Sequence, residues 1–512
     1  MIMALAEEAK VKNVHTKIGK YSSITSLAGQ TITRENIQSI YKDVISLDPS
    51  YSYSYKRLAD VQDVDNAEVS RRRAAISGGD DAFLLIEYAR VLARFWLNED
   101  IPERLRLDTT NELCPYSKMT ALTAALQKAL ALQPDNANAL ALLGGAMRVQ
   151  WKLQIAERHL TRASLIAPLD QEALMNRIRL HYRSGDLVSA ERSCADVLQD
   201  NPGNRAVIEA IKTIRSDINR MRQLSAILGK HSRDVEKDNS PIIFIHFGYN
   251  NYLATTIASA LMTNPRKRVI LIGDQSNKIF ETIGAEHYDF NTLNSGEEIE
   301  EFERIWKFIP TWDVQYQPEF FKFVFKKWYF VNRFIEMNQI KRFWHFDSDT
   351  MIMDNLEPLE KSLSQYDCTE QVSGRCMGGL ISNHKAVQAY VASMNHDLRS
   401  GAYLDNLSAG AYNEMDAYIR FRDANPWLRS FNISEVHEGQ MYEPHALGLP
   451  APGDDLETED GKKKFSIGAD GSIYRKIMST NQYVKIYAIN MSWSLIASYE
   501  HMFNQIIRKM SR

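Results

Sequence analysis

Cysteine is scarce in this chain: four in 512 residues, at Cys114, Cys194, Cys368 and Cys376, with no CxxC pair. That usage argues against a disulfide framework and a zinc–thiolate site, and fits a reducing compartment. No run of about eighteen apolar residues occurs, so no membrane span is expected. The longest greasy stretches, such as Ile242 to Phe247, suit a buried strand. The opening MIMALAEEAKVKNVHTK has no apolar core of signal-peptide length and carries Glu7 and Glu8 early. A cytoplasmic protein is the expectation. Charge of one sign is missing as well: 61 basic residues stand against 64 acidic ones, for a net charge of −3. Nothing there favours nucleic acid as a partner. What is present is ordinary: 44% hydrophobic and 24% charged residues, as in a globular protein. The length is that of roughly two to four domains.

Pro134, Pro168 and Pro202 lie 34 residues apart in the similar frames LQPDNANA, IAPLDQEA and DNPGNRAV. Thirty-four residues is the tetratricopeptide (TPR) period. The unit opening at Ala137 places Leu140, Leu143, Gly144, Met147, Ala156, Leu160, Ala163 and Pro168 at the expected offsets. The next unit keeps Leu174, Tyr182, Gly185, Ala190 and Pro202 more loosely. The pattern reads as helix–turn–helix: small residues let two helices approach, larger ones fill the groove, and proline ends the second helix. Residues 35–228 are therefore expected to be a helical, TPR-like solenoid after a tail at 1–34. Residues 82–96 are helix-patterned without a clean period.

Residues 229–241, GKHSRDVEKDNSP, are polar and end in proline, as a linker would. Beyond them, at 242–512, short apolar strands alternate with helices. Strands are expected at 242–247, 268–272, 343–346, 376–381 and 484–488, with a helix at 253–262 between the first two. This is a βαβ pattern that predicts a parallel sheet. One strand, Phe343 to Phe346, runs into Asp347-Ser348-Asp349. Carboxylates two apart in extended chain project to one side, where both can address one hard cation. Asp63-Val64-Asp65 has the same spacing but sits in the helical half, where it reads as a solvated face or turn. The alternative for Asp347 and Asp349 is a polar turn after a strand.

The segment IIFIHFGYNNYLATTIASALMTNPRKRVILIGDQSN (242–277), the helix 319–338 and the Asp-x-Asp strand together resemble bacterial glycosyltransferases of the GT-A fold. The resemblance covers roughly residues 241–494. It implies an α + α/β chain: a TPR-like solenoid followed by a Rossmann-like mixed sheet. It further implies that His246, Phe247, Gly248 and Ser348 line a nucleotide pocket, with Asp274 and Asn277 near the base or ribose. Asp347 and Asp349 would hold Mn2+ or Mg2+. Read from the residues alone, His246 is equally a core histidine and Asp274 a turn residue. Lys322, Lys326 and Lys327 either face a diphosphate or form a solvated helix face.

Ile489-Asn490-Met491-Ser492-Trp493-Ser494 is similar to the C-terminal loop of glucosylating bacterial toxins and arginine-glycosylating effectors. The likeness implies Asn490 and Ser492 as added metal contacts and Trp493 as a cover over the nucleotide-sugar. The bland alternative is a strand-end turn with a core tryptophan. Gly378 and Gly379 would border the donor sugar. Glu414 and Asp416 are candidate bases for an acceptor hydroxyl, with Glu438 a competitor, and His437 and His445 are weaker metal candidates. Residues 450–471 read as an excursion over the site or a plain loop. Two functions follow. One is metal-dependent transfer from a nucleotide-sugar, in the first instance a UDP-sugar, to a protein or glycan acceptor, with the repeats recruiting the acceptor or pairing two copies. The other is a TPR interaction scaffold carrying an inactive relative of the enzyme.

Overall fold

A computed structural model of the chain describes residues 64–78, 81–97, 116–150, 152–200, 202–231, 240–306, 318–371, 374–401, 413–443, 455–459, 462–492, 494 and 496–510, with isolated positions between 38 and 59. The helical half runs α1 (Val64–Ser77), α2 (Ala82–Leu97), α3 (Tyr116–Leu132), α4 (Ala137–Val149), α5 (Leu153–Ile166), α6 (Gln171–Arg183), α7 (Leu187–Asp200) and α8 (Arg205–His231). Helices α4, α6 and α8 start 34 residues apart, as do α5 and α7. Each start has the same cause. Two residues after each proline, Asn136, Asp170 and Asn204 turn a side-chain oxygen onto the backbone N–H three residues on, at 3.1, 2.8 and 3.2 Å. That satisfies a donor the first helical turn leaves open. The helical half is thus built of TPR-like repeats. Inside it Ala156, Leu160 and Ala163 are fully buried, and α5 leans on Gly144 of α4.

The second half is a mixed sheet of seven strands in the order β3-β2-β1-β4-β7-β6-β8. These are β1 (Ile242–His246), β2 (Val269–Gly273), β3 (Glu286–Asp289), β4 (Phe343–Asp347), β6 (Cys368–Gln371), β7 (Cys376–Ile381) and β8 (Ser430–Asn432). The first four positions are mutually parallel and β7 turns antiparallel to β4. Alternate residues face opposite layers, as the pleat requires. Ile242, Phe244, Trp344 and Phe346 join one apolar cluster; Ile243, Ile245 and Phe343 join the other, under α12 (Pro318–Met337). The first cluster also contains Ile178, Tyr182, Ile214 and Leu224 from α6 and α8. The last repeats and the sheet therefore share one core. Helix α8 itself continues to His231, into the stretch whose composition suggests a linker, and residues 232–239 lie outside the described chain.

A smaller sheet, β12-β13-β14-β5 with β9 (Gln440–Glu443) on β14, packs beside the large one. Its strands are β5 (Thr350–Ile352), β12 (Ser466–Ile467), β13 (Ile473–Lys476) and β14 (Tyr483–Asn490), which runs two residues past the expected end. From Asp455 onward the proposed excursion is a pair of short strands, β10 (Thr458–Glu459) and β11 (Lys462–Lys463), leading into β12. Among the described residues no helix is long and apolar enough to cross a membrane.

A side chain at Gly144 tests the repeat packing. Its Cβ would come 2.5 Å from Leu160 Cγ and 3.3 Å from the Ala156 carbonyl. Leu160 is fully buried and has nowhere to retreat. Gly144→Ala gains up to about 1 kcal/mol of helix propensity, whereas overpacking costs about 1–3 kcal/mol. Gly144→Val gains little propensity, so it should lose about 2 kcal/mol in urea denaturation. An unchanged midpoint would refute this packing.

Candidate functional site

Strands β1 and β4 are neighbours whose connections leave toward opposite sides of the sheet, since β2 lies beyond β1 and β7 beyond β4. In open α/β sheets, such a switch point opens a crevice at the carboxyl ends of the strands. The register Ile245↔Asp347 puts His246 and Asp347 at that edge. Ser348 follows, with its hydroxyl 2.8 Å from His246 Nδ1. Burial, with Arg183 adding to it, pushes the His246 imidazole down to about 3, so the ring is neutral at pH 7.

After Asp349 the chain turns into β5, which pairs with β14 in the register Thr350↔Asn490. The pairing brings two distant segments together. Ser492 Oγ donates to Asp349 Oδ2 at 2.6 Å, Asn490 Nδ2 approaches Asp349 Oδ1 at 3.5 Å, and the Met491 N–H donates to the Asp349 carbonyl at 2.9 Å. Burial first, and the charge of Asp347 second, push the Asp349 carboxyl up to about 6. Asp347 goes the other way. Lys327 Nζ lies 3.1 Å from its Oδ1 and holds it below the usual carboxylate range. Glu414, at the start of α15 (Glu414–Ala424), lies 3.8 Å from the same ammonium and is pushed up by burial. Asp347, Asp349, Asn490, Ser492 and Glu414 therefore gather around one edge of the sheet, with Lys327 among them.

Other candidates are engaged elsewhere. Asp416 accepts the Asn413 N–H at 3.2 Å and completes a capping box on α15. Asp274 accepts the Gly248 N–H at 2.7 Å and the Ser276 N–H at 2.8 Å. Asn277 is fully buried and donates to the Gly248 carbonyl at 2.7 Å. Both brace the β1 loop from behind, through Gly248. Gly248 itself has φ +79, and nothing lies within 4 Å of where its Cβ would be, so a ligand can approach the backbone. Phe247 stacks on Phe290. Gly378 and Gly379 make room within the protein: a Cβ would collide with Gln371 Nε2 at the first and Thr369 Oγ1 at the second. Their need is packing against β6. His437 Nε2 lies 3.0 Å from Ser362 Oγ, and Glu438 is exposed in the adjoining turn. Trp493 and His445 lie outside the described residues.

Lysines 322 and 326 both pair with Glu303, whereas Lys327 is buried. Spacing held that signal: 322 and 326 are four apart and share a helix face, while 327 is turned by about 100°. His345 was also missed. It is buried between β1 and α12, with Nδ1 3.1 Å from the Ile243 carbonyl, and burial pushes it down to about 4.

No family model matches the chain, and no curated protein matches it. Solved structures with a likeness to part of the chain include a thermophilic TPR protein of Thermus thermophilus, at 14% identity and TM-score 0.28, over 35% of this chain and 90% of that one. A TPR protein with an unusual peptide-binding site gives 15% and 0.28, over 37% and 86%. An O-GlcNAc transferase mutant of Thermobaculum terrenum gives 12% and 0.22, over 44% and 43%.

Removing Lys327 tests the charge arrangement. Lys327→Met leaves Asp347 and Glu414 without a counter-charge. The expected cost is about 2–3 kcal/mol, below that of a fully buried pair because the Asp347 side chain is 45% exposed. Adding Glu414→Gln to Lys327→Met should recover part of the loss in urea denaturation. Equal stability of wild type and Lys327→Met would contradict the arrangement.

Proposed function

We propose that this chain is a metal-dependent glycosyltransferase of the GT-A type, moving a sugar from a nucleotide-sugar, in the first instance a UDP-sugar, to a protein or glycan acceptor. One observation carries the reading: Asp349, two residues from Asp347 at the end of β4, meets Asn490 and Ser492 at the end of β14, beside the β1–β4 switch point.

A divalent cation suits this donor set. Carboxylate, amide and hydroxyl oxygens, without sulfur or imidazole, favour Mn2+ or Mg2+; the Asn490 oxygen, which accepts the Ser492 N–H at 2.8 Å, has a second lone pair for the ion. Among the described residues no group of three or more His, Cys, Asp or Glu is arranged for a metal. Asn490 and Ser492 are therefore needed beside the two aspartates. Lys327 serves Asp347 and Glu414, while burial first and the charge of Asp347 second raise Asp349. Bound there, the ion would neutralise charge growing on a departing nucleoside diphosphate.

The chain's own groups have separable tasks. Gly248 leaves the β1 loop open for close approach of the nucleotide, and Ser348 and neutral His246 offer hydrogen bonds along its edge. Glu414 is the better candidate base, because Asp416 is committed to its helix cap. Burial raises the proton affinity of Glu414, which suits taking a proton from an acceptor hydroxyl. The TPR-like repeats would recruit the acceptor or pair two copies. A scaffold with an inactive domain is the competing reading. It draws on Lys327, which already gives Asp347 a positive partner.

Thermal unfolding with Mn2+ and UDP, followed by sugar-release assays across UDP-sugars, separates the two. The enzyme reading expects stabilisation only when both are present, reaching about 2.7 kcal/mol at a hundred times the Kd. Asp349→Ala should abolish that shift and reduce turnover by about a hundredfold or more. No stabilisation by Mn2+ with any nucleoside diphosphate would leave the scaffold.

A further inference from the structure

Asp217 of α8 is a buried carboxylate that neither the repeat packing nor the proposed chemistry requires. It is 2% exposed. Tyr182 of α6 donates its hydroxyl to Asp217 Oδ2 at 2.6 Å, and Tyr249 of the β1 loop donates to the same oxygen at 3.3 Å. The Asn251 side chain adds a further hydrogen bond, and Arg220 Nη1 lies 3.5 Å from Oδ1. Two of these four partners belong to the loop that follows β1.

The contact between the halves is close elsewhere on the same loop. The Tyr249 N–H donates to the Arg183 carbonyl at 3.0 Å, at the end of α6. The Tyr182 ring meets the Tyr249 ring edge-on at 5.1 Å, and Tyr249 stacks on Phe280. At Gly185, with φ +71, an added Cβ would collide with the Ser276 carbonyl. The turn after α6 thus presses on the helical segment whose Asp274 and Asn277 hold Gly248. Helix α8 also reaches the other side of the site. Arg220 pairs with Glu500 of α16 (Ile496–Met510), and the adjacent Tyr499 donates to the Met491 carbonyl at 3.2 Å.

We propose that the repeat array is a working part of the nucleotide pocket, with Asp217 as the positioning residue that sets the loop Phe247–Asn251 for a nucleoside diphosphate. The physical case is geometric. A loop whose backbone groups must meet a ligand is held in one conformation only if its side chains are anchored. Here the anchor is a carboxylate on the neighbouring domain, shielded from water, where its hydrogen bonds are strong. Occupancy of the solenoid and occupancy of the pocket are then linked through α6 and α8.

The ligand-binding arm of the test rests on the glycosyltransferase reading; the exchange arm does not. Full-length wild type, Asp217→Asn and Tyr249→Phe are titrated calorimetrically with Mn2+ alone and then with UDP in saturating Mn2+. Amide hydrogen exchange of residues 247–253 is followed without ligand. Asp217→Asn should weaken UDP by about tenfold, the worth of one charged hydrogen bond. Tyr249→Phe should weaken it less. Mn2+ affinity should hold in both, and the 247–253 amides should exchange faster. Folded variants with wild-type UDP affinity and wild-type exchange overturn the proposal, as does a parallel loss of Mn2+ and UDP, which would report general loosening. If wild type takes up neither Mn2+ nor UDP, the catalytic reading falls, and loop exchange alone decides the role of Asp217. Unchanged exchange rejects it.

Discussion

Antiparallel pairing of β5 with β14 is the constraint on which the site depends. The register Thr350↔Asn490, Met351↔Ile489, Ile352↔Ala488 joins segments more than a hundred residues apart. Side chains alternate along a strand, so a slip of one residue would turn Asn490 from the acidic turn to the opposite face. The apolar residues prevent that slip. Met351, Ile352, Ala488 and Ile489 are buried in one cluster, and moving them would expose that surface to water. Hydrophobic packing thus fixes the register, and the register delivers Ser492 to Asp349. The polar contacts are a consequence of the core and contribute little to building it.

Two acids elsewhere are matched with ample positive charge. Glu443, 1% exposed, faces Lys463 at 2.5 Å and Arg475 at 2.7 Å. Asp354 is met by Lys485 and by Lys509. Each carboxylate has two cations, which offsets the cost of leaving water. The edge of β4 is poorer in positive charge than those two. Among the described residues, Asp347 and Glu414 have a single ion-pair partner between them, Lys327, and Asp349 has none. Single pairing is itself common here: Asp217, Asp367 and Asp397 each have one cation, so what sets the β4 edge apart is that two acids share one lysine beside a third that has none. The same comparison explains why Asp347 and Asp349 shift in opposite directions, since only one of them touches the lysine.

The sequence carried the repeats and the ends of strands well, because both are local. A proline every 34 residues, followed two positions later by Asn or Asp, records a cap that acts across one helical turn. The apolar run into Asp347 marks a strand end for the same reason. Asn490 and Ser492 were reachable only through a family likeness, since nothing in their surroundings announces a partner at Asp349. Asp274 and Asn277 bond Gly248, and Gly378 and Gly379 pack on Gln371 and Thr369, neighbours from other segments that the local sequence does not announce. Asp416 was ambiguous by nature: an acid at the third position of a helix serves as a cap or as a base, and only the Asn413 contact decides. Asp217 left no trace, because a lone acid on a polar helix looks solvated until its tertiary partners are known.

Residues 229–241 are polar in composition, yet Ser240 and Pro241 at their end are buried. Rigidity depends on what the flanking elements touch. Helix α8 enters that stretch and still lies against α9 (Tyr252–Thr263) and the helical segment at 275–283. Its residues Ile214, Met221 and Leu224 share a cluster with Phe244 and Leu253. Domains joined only by a tether move independently, whereas those that share an apolar core do so only by opening it. Both α6 and α8 touch the β1 loop directly, at Tyr249. Among the described residues, α6 and α8 share the sheet's apolar core, so the last repeats and the sheet pack together whatever the composition of the chain between them.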